Sequence, residues 1–184
     1  MLFVISAPSG AGKTTIIKKL FKKNPALKFS VSATTRIKRE GEINGNDYFF
    51  LTDKEFDEKL KSGSFIEWET VHGNRYGTLK NEVEKYLNSK SHLIFDVDVK
   101  GALTLKSLYP DAIMIYIDVP VDQILKRLRK RNTESEEQIA ERIRRIEMEM
   151  KQKDKFKYIV NNSDNQLNPD KAVSELEEII NKYN

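Results

Sequence analysis

The sequence predicts a three-layer α/β fold around a parallel central sheet, and three observations carry that expectation. Apolar runs at 2–5, 92–97, 113–119 and 158–160 lack polar alternation, as strands buried on both faces do. Helical stretches fill the gaps, at about 100–108, at 121–131, from Ser135 onward and from Asn168 onward with Pro169 in the first turn. The first apolar run leads into a glycine-bearing turn and then a helix, and in folds of this kind ligands gather at the carboxyl ends of the strands.

That turn is Ala7-Pro8-Ser9-Gly10-Ala11-Gly12-Lys13-Thr14. It matches the phosphate-loop pattern G-x-x-x-x-G-K-[ST], with Ala7 where the first glycine usually stands. In such a loop, successive backbone N–H groups converge on phosphates at a helix N-terminus, the lysine reaches the outer phosphates, and the hydroxyl of Thr14 can ligate Mg²⁺. The chain is therefore expected to handle a nucleoside triphosphate.

Between 29 and 90 the pattern changes. Residues 29–31 and 48–51 read as brief strands separated by the polar segment 34–47. Thr52-Asp53-Lys54-Glu55 is a capping box that starts a helix to about Ser62, stopped by Gly63. Residues 65–71 return to strand character before the turn residues His72, Gly73 and Asn74. A second capping box, Ser135-Glu136-Glu137-Gln138, separates two helices and suggests a hinged helical arm. The expected division is a core of about 1–31, 91–123 and 155–184, an inserted subregion of about 32–90, and an arm of about 124–154.

Composition narrows the class. At 184 residues, 33% charged and 39% hydrophobic, the chain fits one soluble globular domain, and no apolar run approaches the ~20 residues of a membrane span. The apolar strand follows Met1 directly, leaving no signal peptide, so the expected location is the cytoplasm. With no cysteine, and with His72 and His92 lacking companions at ligand spacing, disulfides and structural metal sites are not expected. The net charge of +4 suits anionic ligands, but no aromatic stacking platform or recognition-helix motif points to nucleic acid.

Four groups of residues carry candidate chemistry. Arg36, Arg39, Tyr48 and Tyr76 combine guanidinium forks with hydroxyl donors and could fix a second phosphate opposite the loop. Glu67 and Glu69 alternate on one face of the strand 65–71, with Phe65 and Val71 sharing their parity. Two acids on one face call for a cation, a donor-rich ligand or water, and guanine offers two parallel donors in N1–H and its exocyclic amine. Asp96 and Asp98 end an apolar strand, where acids either serve a Mg²⁺-triphosphate centre or cap the next helix. Arg127, Arg131 and Arg142 lie on the helices of the arm, and an arginine delivered by closure can stabilise a migrating phosphoryl group. Arg129, Lys130, Arg144 and Arg145 read as a solvated basic face.

Together these residues resemble the guanylate kinase family over nearly the whole chain. The resemblance is carried by Ser6 through Thr14, by Val-Ser-Ala-Thr-Thr-Arg from Val31, by Arg39-Glu40-Gly41-Glu42, and by Gly45-Asn46-Asp47-Tyr48-Phe49-Phe50. It continues through Phe65-Ile66-Glu67-Trp68, Gly73-Asn74-Arg75-Tyr76-Gly77-Thr78, Asp96-Val97-Asp98 and the run from Arg131 to Glu137. Departures are Asn132, where the family often has glycine, and Asn161-Asn162-Ser163, where Asn-Asp-Asp is more usual.

The resemblance implies a P-loop kinase fold with an inserted GMP-binding subdomain at about 32–90 and a helical lid at about 124–154. It implies transfer of the γ-phosphoryl of ATP to GMP or dGMP, in purine nucleotide recycling, with Mg²⁺ bridging the phosphates. Ala7 through Thr14 would bind ATP, and Ser32, Arg36, Arg39, Tyr48, Glu67, Tyr76, Thr78 and Asp98 would hold GMP. Lys13, Arg36, Arg131 and Arg142 would surround the migrating group, and Thr14 would contact Mg²⁺, with Asp96 or Asp98 acting through water. A binding module without catalysis, or a related kinase with another acceptor, is the alternative; monomer and dimer both stay open.

Overall fold

The computed structural model describes residues 1–71, 73–87, 89, 91–131, 136–163 and 169–184, with the side chains of 127–131 and 136–138 outside that description. Five strands form a parallel sheet: β1 (Leu2–Ser6), β2 (Lys28–Phe29), β7 (Leu93–Asp96), β8 (Ile113–Asp118) and β9 (Tyr158–Asn161), in the order β2-β7-β1-β8-β9. Alternate side chains of each central strand go to opposite faces, and both faces are apolar, as the unbroken runs predict. Phe3, Ile5, Ile94, Ile115 and Ile117 join a cluster with Ile16 and Leu20 of α1 (Lys13–Lys23) and Val173 and Leu176 of α7 (Asp170–Asn181). Val4, Leu93, Phe95, Met114 and Tyr116 join the other cluster with Val99, Ala102 and Leu105 of α4 (Val99–Leu108) and Val83 of α3 (Lys80–Leu87). Helices α5 (Val121–Arg131) and α6 (Glu136–Met150) follow β8.

A second sheet orders β4 (Phe49–Phe50), β3 (Ser32–Thr34), β6 (Asn74–Leu79) and β5 (Phe65–Val71), with β3–β6 and β6–β5 antiparallel. The strand expected at 29–31 is in fact two. Lys28 and Phe29 pair with β7, the chain then crosses over, and Ser32–Thr34 enters the second sheet. Strand β6 and helix α3 are additions to the sequence reading, because β6 holds Asn74, Arg75, Gly77 and Thr78 and shows no hydrophobic alternation. Pairing on both sides, to β3 and β5, supplies what its local composition does not.

Helix α2 (Asp53–Lys61) begins with the predicted capping box: Thr52 Oγ1 accepts from the Glu55 amide at 3.2 Å, and the Thr52 amide donates to Glu55 Oε2 at 2.7 Å. It covers the second sheet through Phe56, which stacks on Phe65 at 4.4 Å between centroids and lies under the Arg75 guanidinium. The second capping box, at Ser135, falls outside the described residues.

The expected parity of β5 is corrected by a β-bulge between Phe65 and Glu67. Phe65 and Trp68 both contact Phe56, while Ile66 packs against the α4 cluster and Glu67, Glu69 and Val71 turn to the opposite side. The extra residue therefore separates Phe65 from the two acids. Gly77 on the facing strand admits the displaced ring, since a Cβ there would sit 2.7 Å from Phe65.

Phe56 is fully buried in this small core, so Phe56→Ala should cost about 3–5 kcal/mol of local stability. Hydrogen exchange should show the loss in α2 and β5 while β1, β7 and β8 keep their protection. Equal deprotection of both sheets would contradict it.

Candidate active site

The main sheet reverses direction of growth beside β1: the chain moves from β1 to β2 and β7 on one side, and later to β8 on the other. A crevice opens at such a switch point, past the carboxyl ends of the strands. It forms a cleft of about 340 Å³ lined on one wall by residues 7–15 and on the other by Ser32, Arg36, Arg39, Tyr48, Glu67 and Tyr76.

The loop wall follows from β1 ending at Ser6. Gly10 and Gly12 take φ of 88° and 86°, which a side chain would resist, and the Ala11 amide donates to Pro8 O at 3.1 Å. Gly12 is the N-cap of α1, so Lys13, Thr14 and Thr15 open the helix at the cleft. Register places Ile5 opposite Asp96, and Lys13 Nζ consequently forms an ion pair with Asp96 and donates to Val97 O at 2.8 Å. Asn162 Nδ2 donates to Ala11 O at 2.8 Å, tying the loop to the end of β9.

On the facing wall, Arg36 lies near the rings of Tyr48 and Phe50, with Nη2 donating to Glu42 Oε1 at 2.8 Å. Glu42 Oε2 also accepts from the Arg39 amide at 2.8 Å. Burial works against the Glu42 charge, yet Arg36 and that amide hold its carboxyl below the usual range. Burial, with Asp96 nearby, raises the Tyr48 phenol, which stays protonated and able to donate. Tyr48 and Tyr76 meet edge to face at 6.0 Å.

Glu67 is mostly buried. Burial pushes its carboxyl up to about 6 and the Asp98 charge adds to this, while Thr78 Oγ1, donating to Glu67 Oε1 at 2.5 Å, acts in the opposite direction. Gly101 is what lets the carboxylate lie there: a Cβ at Gly101 would be 2.8 Å from Glu67 Oε2 and 3.2 Å from Asp98 Oδ1. Glu69, on the same side of β5, pairs with Lys100 at 2.5 Å.

Asp98 proves to be a helix cap, accepting from the Gly101 amide at 2.8 Å to start α4. Of the two readings of the acid pair, capping therefore holds for Asp98, while Asp96 faces Lys13. Arg145 is a correction: read as part of a solvated face, it lines the cleft and donates to Asp98 Oδ2 at 2.8 Å. Glu42 and Glu149 also line the cleft, and no motif singled out Glu149. The spacing of Arg142, Arg145 and Glu149 along α6 could have pointed to a shared face. Arg142 is half-buried on α6 and is not among the lining residues; the side chain of Arg131, like those of Arg127, Arg129 and Lys130, lies outside the described residues, as do Asn132 through Ser135.

Thr14 and Asp96, whose side chains carry oxygen donors of the kind Mg²⁺ takes, both line the cleft. Among the described residues no group of three or more acids or histidines is gathered as a metal cage.

The raised Glu67 pKa has a stability consequence. The folded chain binds this proton more tightly than the unfolded chain, so stability falls as pH rises from about 4.5 to about 6, by about 2 kcal/mol in all. In the ligand-free protein, Glu67→Gln should therefore raise the melting temperature at pH 7–8, with the gain vanishing near pH 4.5. A pH-independent difference would rule out this origin.

The sequence matches the guanylate kinase family over residues 1–183. It is 44% identical to the guanylate kinase of Thermotoga maritima over 88% of this chain and 78% of that one. With the guanylate kinase of Caldanaerobacter subterraneus it shares 40% identity over 98% of this chain and 86% of the relative. The crystal structure of guanylate kinase from Anaplasma phagocytophilum has the same fold, with a TM-score of 0.78 at 24% identity, covering 100% of this chain and 85% of the other. A phosphate loop facing a partly buried glutamate across an arginine- and tyrosine-lined cleft, with the family match over residues 1–183, makes this chain a member of the guanylate kinase family.

Proposed function

We propose that the cleft holds ATP on its loop wall and GMP or dGMP on the facing wall, and transfers the γ-phosphoryl group between them. The observation that carries the reading is the partly buried Glu67 carboxylate, held by Thr78 and lining the same cleft as Lys13. A carboxylate so placed accepts both the N1–H and the exocyclic amine of guanine, whereas adenine presents no such donor pair. A mismatched base would leave it buried and unpaired, and sites of this kind discriminate by roughly 10⁴-fold.

In-line phosphoryl transfer needs no covalent intermediate, so the chain's contribution is positioning and charge neutralisation. Lys13 exchanges Asp96 for the donor's outer phosphates, and the loop amides receive the remaining oxygens. Arg36, Arg39, Tyr48 and Tyr76 bind the acceptor phosphate, with Arg36 exchanging Glu42 for it. Ser32 and Thr78, beside Glu67 and Asp98, complete the base site. Arg131 and Arg142 act from the lid formed by about 124–154, and closure over the 32–90 subdomain excludes water as a competing acceptor. Thr14 would hold Mg²⁺, with Asp96 or Asp98 contacting it through water. The ion's chemistry is to offset phosphate charge. Among the described residues no helix is long and apolar enough to cross a membrane. The cytoplasm, where ATP and GMP are both present, is the proposed setting of the reaction.

A coupled assay offering GMP, dGMP, AMP, UMP and CMP with ATP and Mg²⁺ tests the assignment: GMP and dGMP should dominate, and preference for another nucleotide would overturn it. In the same assay Lys13→Met should lower kcat on the order of 10²–10³-fold, while wild-type turnover would remove Lys13 from the mechanism. Gly101→Ala should displace the Glu67 carboxylate and raise the KM for GMP by roughly tenfold or more, leaving the KM for ATP within about twofold. Parallel increases in both constants would count against Glu67 as the base reader.

A further inference from the structure

Helix α6 carries Arg142 and Arg145 one turn apart, and Arg145 is the one whose guanidinium enters the cleft wall. All three of its nitrogens are engaged. Nη2 donates to Asp98 Oδ2 at 2.8 Å, Nη1 to the Thr70 carbonyl at 3.3 Å, and Nε to Glu149 Oε1 at 2.8 Å. Those partners belong to three elements: the cap of α4, strand β5 and α6 itself. A surface i,i+4 pair with Glu149 would account for only one of these bonds.

The bond to Asp98 bears on the base site. Asp98 Oδ1 is held by the Gly101 amide and Oδ2 by Arg145, so both carboxylate oxygens are oriented while lone pairs remain for a ligand donor. Glu67 and Asp98 converge on Gly101 from two sides, and their like charges oppose one another there. The cation on the far oxygen of Asp98 offsets that repulsion. At the same time Nη1 holds the edge of β5 three residues beyond Glu67.

We propose that Arg145 is a positioning residue for the acceptor base: it orients Asp98 and β5, and fixes α6, with Arg142 one turn away, in the register that base binding requires. The proposal rests on the reading of Glu67 and Asp98 as the guanine site. It depends on the planar fork, because a lysine ammonium cannot serve three acceptors spread in one plane.

The test measures kcat and both KM values for the wild type, Arg145→Ala, Arg145→Lys and Asp98→Asn, and for the Arg145→Ala/Asp98→Asn pair. Thermal melting monitors folding. Both Arg145 variants should raise the KM for GMP by roughly tenfold, the loss of one charge-assisted hydrogen bond, while the KM for ATP stays within about twofold. Adding Asp98→Asn to Arg145→Ala should cost less than about twofold more. An unchanged KM for GMP in both variants, full rescue by lysine, or multiplicative effects in the double variant would overturn the role of Arg145. Failure of the wild type to use GMP would instead overturn the acceptor reading on which the proposal stands.

Discussion

The parallel register of β1 between β7 and β8 is the constraint on which the site depends. It sets Ile5 against Asp96 and Ser6 against Tyr116, so the turn after Ser6 emerges beside the carboxyl end of β7. Lys13 then reaches Asp96 and Val97 from the first turn of α1. A slip of one residue would swap the side chains that β1 sends to the two apolar clusters and carry the loop away from this acid. The apolar packing on both sheet faces is what makes such a slip costly.

Charge organises the cleft as much as shape does. Three of its cations are matched by acids of the same chain: Lys13 with Asp96, Arg36 with Glu42, Arg145 with Asp98 and Glu149. In the proposed reaction, phosphate oxygens replace Asp96 and Glu42, so ion pairs are exchanged and no buried cation is left unpaired on the way in. Glu67 differs from these acids in lying near a second carboxylate with no ion pair among the described residues, and its burial keeps it receptive to a proton or to paired N–H donors. Function and stability oppose one another at that residue.

Strand β5 illustrates the limit of reading periodicity. Alternation places Glu67 and Glu69 together, and they do line the same cleft. Phe65 was assigned to their face by the same rule, and the bulge moves it to the α2 side. A bulge is settled by what lies across the ladder, here the space left by Gly77, and no local pattern in β5 records it. Arg145 is hidden for a related reason: in a run of charged residues, only the packing of α6 against β5 and α4 shows which cation turns inward.

The sequence by itself determined the elements whose causes are local or strongly periodic. The three central strands β1, β7 and β8 were legible because burial on both faces requires unbroken apolar runs, and the capping box at Thr52 because its bonds span three residues. The phosphate loop was legible because positive φ at Gly10 and Gly12 constrains residue type directly. Only the tertiary structure decided that β6 is a strand, that Asp98 is a cap bound by Arg145, and that Gly101 makes room for Glu67. These depend on partners distant along the chain, such as Gly101 with Glu67 and Arg145 with Asp98. The energy of such contacts resides in the pair and leaves no mark on either residue's neighbours in sequence.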